Sequence, residues 1–88
     1  MARIKYTEEV RLGPPNDWQL CFQWCEYIYD DPSDASEKGY RFIWRRPNGT
    51  LQAARGQARI PSITCINKLL QLAKEEGWME RVEKVEQL

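Results

Sequence analysis

The chain has 88 residues, with thirteen basic and thirteen acidic side chains, no histidine and a hydrophobic fraction of 42%. This length suits one domain around one core, no apolar run approaches the roughly 18 residues of a membrane span, and the N-terminus lacks the apolar stretch of a signal peptide. We therefore expect a single soluble domain over residues 1–88 that acts in the cytoplasm, away from membranes.

The N-terminal segment predicts a strand only weakly. Residues 1–12 are polar with a faint strand signal, and the glycine and prolines of residues 13–17 then interrupt regular structure. We expect the two ends of the chain, 1–12 and 79–88, to be less firmly ordered than the rest.

The segment 18–30 allows two interpretations. As a helix, it places its polar residues in a narrow stripe. As a strand, it alternates from Trp18 to Trp24 and continues only if a bulge lies near Cys25-Glu26. That bulge would place Tyr27 and Tyr29 on the same face as the earlier aromatic residues. The high aromatic density favours the strand, and the helix is the alternative.

A β-hairpin is predicted over residues 40–55. Alternation places Tyr40, Phe42 and Trp44 on one face, with Arg41, Ile43 and Arg45 on the other. Proline, asparagine and glycine at positions 47–49 are typical turn formers. A returning strand is expected over about 50–55, and Gly56 predicts a bend after it.

A helix is predicted over residues 62–76. Ser62 is a suitable N-cap, and Gly77 suits the left-handed position after the last turn, with Trp78 folding back onto the helix. The predicted apolar face consists of Ile63, Ile66, Leu69, Leu70 and Ala73. The resulting fold class is α+β: a small antiparallel sheet of about three strands packed on one amphipathic helix.

The chemistry available to the chain argues against catalysis. Without histidine, Ser-His and Cys-His nucleophile pairs are excluded. An odd number of cysteines, at positions 21, 25 and 65, fits a reducing compartment and small hydrophobic roles. On a strand, Cys21 and Cys25 would stand about 13 Å apart, too far for one metal ion. We expect no catalytic residue, no metal site and no cofactor.

Charge is strongly segregated along the chain. Residues 1–37 carry three basic and eight acidic side chains, residues 38–74 carry eight basic and none acidic, and residues 75–88 carry two basic and five acidic. Arginine suits anions because its planar group donates two parallel hydrogen bonds. The candidate binding residues in the basic segment are Arg41, Arg45, Arg46, Arg55 and Arg59.

Two classes of binding function compete for these arginines. A protein partner, or a second copy of the chain, is favoured because the predicted face bearing Cys21, Ile28 and Ile43 leaves apolar surface among charges. Nucleic acid is the alternative, since aromatic residues alternate with the arginines as on single-stranded RNA and DNA platforms. The arginines could also pair within the chain, with Glu26, Asp30 or acids of the first segment. The leading prediction is a non-enzymatic protein-interaction or regulatory module.

Overall fold

A computed structural model describes residues 2–52 and 58–80 of the chain. Three antiparallel strands lie in the order β1-β2-β3 and are followed by one helix and a short 3-10 turn. The predicted α+β class, with a three-stranded antiparallel sheet and one packed helix, is confirmed. None of the helices within the described ranges is long and apolar enough to cross a membrane. The elements are β1 (Ala2–Leu12), β2 (Gln19–Tyr29), β3 (Glu37–Arg45), α1 (Ile63–Glu75) and the 3-10 turn Trp78–Glu80.

Strand β2 is the centre of the sheet, so the strand interpretation of segment 18–30 is confirmed. The predicted bulge near Cys25-Glu26 is wrong, because β2 pairs with β3 without a shift of register. The irregularity lies instead in β1, between Tyr6 and Glu8. A bulge in an edge strand disturbs one hydrogen-bond ladder, whereas a bulge in the central strand would disturb two.

Unbroken alternation in β2 sorts its side chains onto two faces. Leu20 and Phe22 belong to the core beneath α1, so Ile28 also points to the helix side. Tyr27 and Tyr29 point to the opposite side, together with the cysteines and glutamines of β2, and not with Trp24 as predicted. We call the side away from the helix the open face.

The third strand of the sheet is β1, which pairs with β2 over almost its whole length. Of the returning strand predicted over about 50–55, the described residues form a bridge between Arg45 and Leu51 and a hydrogen bond from Gln52 N to Trp44 O. The turn itself forms as predicted: Gly49 has φ 91°, and Asn48 accepts hydrogen bonds from the backbone and hydroxyl of Thr50. Residues 53–57, including the bend expected at Gly56, lie outside the described residues.

Helix α1 begins and ends close to where the sequence predicts. The side chain of Ser62 accepts a hydrogen bond from Cys65 N, and Gly77 has φ 83° immediately after the C-cap. The buried face is rotated relative to the prediction, however. Ile63 is 73% exposed and Leu70 36% exposed, while Leu69 and Ala73 are fully buried.

The position of the helix explains this rotation. Of the three strands, α1 runs closest to β1, which forms the edge of the sheet opposite β3. The remaining space is filled by Trp78, whose ring lies 5.7 Å from that of Phe22 and 6.0 Å from that of Tyr40. Phe42 and Trp44 of β3 are only half-buried and pack at the margin of the core.

Candidate functional site

A polar network joins all three strands on the open face. Glu9 Oε2 accepts hydrogen bonds from Gln23 Nε2 at 2.5 Å and from Arg45 Nη2 at 2.6 Å. Glu9 Oε1 accepts a third bond from Arg11 Nε at 2.5 Å, and Gln23 Oε1 accepts one from Arg41 Nε at 2.8 Å. Two of the predicted binding arginines, Arg41 and Arg45, therefore donate to partners within the chain.

Arg45 is the buried end of this network. The residue is 8% exposed, its Nη1 donates to Gly49 O at 2.6 Å, and the ring of Tyr6 lies over its guanidinium at 5.9 Å. Its Nε has no hydrogen-bond partner within the part of the chain that the structure describes. A buried guanidinium needs a nearby carboxylate, and that carboxylate is Glu9.

The network also sets the protonation of its members. Burial tends to raise the pKa of Glu9, but hydrogen bonds from Arg45, Gln23 and Arg11 outweigh it, so the pKa lies below its ordinary value. Burial tends to lower the pKa of Arg45, and hydrogen bonding to Glu9 reverses this and raises it. Both groups are therefore charged near neutral pH.

The apolar patch expected around Cys21, Ile28 and Ile43 is not formed. Cys21 is 0% and Ile43 6% exposed, because the polar network lies over them, and Ile28 points to the helix side. Burial, followed by the charge of Glu9, raises the pKa of Cys21 to about 11. Such a thiol is a packing group and not a nucleophile at neutral pH.

A cleft of about 260 Å³ opens at the end of the open face where the loop 13–18 meets the turn 46–49. We call it the arginine cleft. Its charged lining consists of Arg11, Arg45, Arg46 and Asp17, and Gln19 and Asn48 add amide groups. Arg46 is held there by bonds from Nη1 to Thr50 Oγ1 and Leu51 O.

A second concavity lies on the helix side of the same sheet end. Trp18 is 44% exposed, and its ring stands nearly perpendicular to that of Trp44, with centroids 6.4 Å apart. Together with Gln52 these rings border a hollow of about 220 Å³, which we call the tryptophan hollow. Trp44 is fixed by a hydrogen bond from its Nε1 to Arg59 O at 2.8 Å. The arginine cleft and the tryptophan hollow therefore lie on opposite faces of the sheet, at the same end.

The structure brings together only part of the predicted arginine set. Arg45 and Arg46 meet at the arginine cleft, Arg41 lies farther along the open face opposite Gln23, and Arg59 lies beside Trp44. Arg55 lies outside the described residues. The acidic turn between β2 and β3, at 30–36, is at the opposite end of the sheet. The end that holds the arginine cleft is the basic end of the sheet, whereas the opposite end combines this acidic turn with Arg3, Lys5 and Lys38 of the strands.

The described ranges, 2–52 and 58–80, contain no group of three His, Cys, Asp or Glu side chains placed to hold a metal ion. All three cysteines are free thiols. In the turn at 30–36, Asp31 accepts hydrogen bonds from Ser33 N and Oγ and so shapes the turn.

Three contributors to the site were not singled out from the sequence: Glu9, Arg11 and Trp18. Glu9 and Arg11 are two apart in a strand, which places them on one face, but the polar sequence of residues 1–12 indicates a strand only weakly. No family model matches the chain, and no curated protein or solved structure is significantly similar to it.

Proposed function

We propose that this domain is a protein-interaction module that binds a segment of a partner protein at the basic end of the sheet. The main observation in support is that the exposed Trp18 lies next to the arginine cleft. Tryptophan and arginine are the residue types that most often dominate binding energy at protein interfaces. An indole that is 44% exposed and packed edge-on against Trp44 is a rigid apolar contact surface.

The state of the arginines supports a protein partner over nucleic acid. A single-strand platform needs several accessible cations along a path for the phosphates. Here Arg45 is buried in an ion pair, and Arg41 and Arg46 are half-buried with acceptors inside the chain. Arg59 beside Trp44 and Arg11 at the arginine cleft are both exposed, but they lie on opposite faces of the sheet and do not make such a path.

The geometry suggests how a segment would bind. The cleft and the hollow are separated by the thickness of one sheet end, since Trp18 directly precedes Gln19 and Trp44 directly precedes Arg45. An extended peptide advances roughly 3.3–3.6 Å per residue. A few residues therefore suffice to cross the end, with one side chain in the tryptophan hollow and another at the arginine cleft.

In this proposal the domain binds and does not catalyse, and it acts in the cytoplasm. Three free thiols, two of them fully buried, suit a reducing compartment. Binding would be regulated by the availability of the partner and not by turnover of a substrate.

The proposal is tested by selecting binders from a display library of random linear peptides. Trp18→Ala should weaken the binding of the selected peptides by about thirtyfold or more, which is the loss typical of a hot-spot residue. The matched control is Ile4→Ala, because Ile4 is also 44% exposed but lies at the other end of the sheet. Equal losses in both variants, or no selected peptide, would refute the proposal.

Two further arms separate the competing partners. Titration with mixed-sequence single-stranded RNA and DNA should show no binding tighter than about 100 μM. Binding below that concentration that weakens as salt rises would identify nucleic acid as the partner instead. Sedimentation of wild type and Trp18→Ala tests self-association. A dimer that Trp18→Ala dissociates would identify a second copy as the partner at this site.

A further inference from the structure

We infer that the arginine cleft binds an aspartate or glutamate side chain of the partner segment. This inference rests on the proposed function and adds to it the chemistry of the ligand. It is carried by the geometry and charge of the cleft, whose lining holds three guanidinium groups and one carboxylate.

The cleft retains positive charge after its internal pairing is counted. Arg45 and Arg11 both donate to Glu9, which lies beneath them with a side chain only 7% exposed. Asp17 is the one acid in the lining. The three arginines Arg11, Arg45 and Arg46 therefore exceed the two carboxylates Glu9 and Asp17 by one charge, so the cleft suits an added carboxylate.

Arg11 is the group best placed to meet that carboxylate. Its side chain is 46% exposed, although its Nε is fixed on Glu9 Oε1. This bond sets the plane of the guanidinium while the side chain remains accessible. An arginine oriented in advance loses less conformational freedom on binding, and a guanidinium–carboxylate contact is among the stronger hydrogen-bonded pairs.

The other walls of the cleft are also held in place before any ligand arrives. Gln19 Nε2 donates to Gly13 O at 3.0 Å, and Arg46 Nη1 donates to Leu51 O at 2.8 Å. At the base, Arg45 is held by Glu9 and Gly49. These bonds hold the side chains of the cleft in position, so a small anion would meet groups that are already oriented.

The charge balance favours a carboxylate over a phosphate group. A phosphorylated side chain carries about −1.5 to −2 charges near neutral pH, whereas the cleft has one positive charge in excess. Asp17 in the lining also repels a dianion more strongly than a monoanion. A phosphopeptide is therefore an outcome to be tested and not the proposed ligand.

The test uses the peptides selected on the intact domain, amidated at the C-terminus so that only side-chain carboxylates remain. We expect aspartate or glutamate to be enriched, and replacement by asparagine or glutamine to weaken binding about tenfold or more. Arg11→Gln should weaken the binding of the acidic peptide by a similar factor. It should leave unchanged the binding of the same peptide with asparagine or glutamine in place of the acid. Arg3→Gln is the matched control, because Arg3 is exposed on the same strand at the opposite sheet end.

Asp17→Asn provides a test in the opposite direction. Its amide oxygen can still accept the hydrogen bond from Trp18 N that Asp17 accepts at 2.7 Å, while the negative charge is removed. We expect tighter binding of the acidic peptide and no change for the peptide with asparagine or glutamine in place of the acid. Weaker binding to Asp17→Asn would overturn the inference.

Three outcomes of these experiments distinguish the carboxylate site from the protein-interaction role. Peptides that need Trp18 but show no acidic enrichment and no dependence on Arg11 would overturn the carboxylate site and leave the protein-interaction role standing. Peptides in which a phosphoserine binds more than tenfold tighter than glutamate would reassign the cleft to phosphate. If no peptide depends on Trp18, both proposals fail.

Discussion

Arg45 Nη2 lies 2.6 Å from Glu9 Oε2, so an ion pair joins the two edge strands β3 and β1 across the central strand. The two residues are 36 positions apart in the chain. Gln23 of β2 bonds to the same oxygen of Glu9 and, through its own amide oxygen, accepts from Arg41. One register of the three strands brings Glu9, Gln23, Arg41 and Arg45 together on one face.

Breaking this pair from one side should be costly. Glu9→Leu leaves the guanidinium of Arg45 buried without its carboxylate, and we expect a loss of about 3–5 kcal/mol in the free energy of unfolding. Replacing both partners, as in Glu9→Leu with Arg45→Met, should recover a large part of that loss because no uncompensated charge remains. Urea unfolding measures both variants, with the exposed Glu75→Gln as control. A double variant no more stable than Glu9→Leu would contradict this account.

The same pair predicts how stability changes with pH. The pKa of Glu9 is lower in the folded chain than in the unfolded chain, so its contribution is fully present above the unfolded value, about 4.3. It is lost as the pH falls through the folded value. Between about pH 5 and pH 2 the wild type should therefore lose more stability than Glu9→Gln. Parallel curves for the two proteins would show that Glu9 does not carry this linkage.

The rotation of α1 predicts a contrast between two adjacent leucines. Leu69 is 0% exposed and belongs to the core, whereas Leu70 is 36% exposed. Leu69→Ala should cost about 2–5 kcal/mol, as expected for a truncation in a packed core. Leu70→Ala should cost less than about 1 kcal/mol. Thermal or urea unfolding of the two variants decides the matter, and equal losses would mean that the helix packs as the sequence pattern predicted.

The three thiols should differ in reactivity. Cys65 is half-buried on α1, whereas Cys21 and Cys25 are both 0% exposed on the sheet. Burial raises the pKa of both sheet thiols, that of Cys21 to about 11, so little thiolate is present at neutral pH. A chromogenic disulfide reagent should therefore modify one thiol quickly and two only on unfolding. Cys65→Ser should remove the fast phase, and a fast phase that survives would contradict the burial of β2.

The local features of this fold follow from short stretches of sequence. Ser62 and Gly77 define the ends of α1, because a cap depends on one side chain or on one positive φ. The turn at residues 47–49 and the alternation of Tyr40, Phe42 and Trp44 are equally local. These signals were sufficient for the α+β class, and for placing Arg41 and Arg45 together on the face away from the helix.

What the sequence alone determined, then, was the type of each strong element and the segregation of charge along the chain. Only the tertiary structure decided that β1 pairs with β2 along the sheet edge, that the bulge lies in β1, and that α1 turns Leu69 inward and Leu70 outward. It also decided that Glu9 and Arg11 meet Arg45 at one sheet end beside Trp18. These outcomes depend on strand register and on packing between distant segments, because a shift of one residue moves every side chain of a strand to the other face.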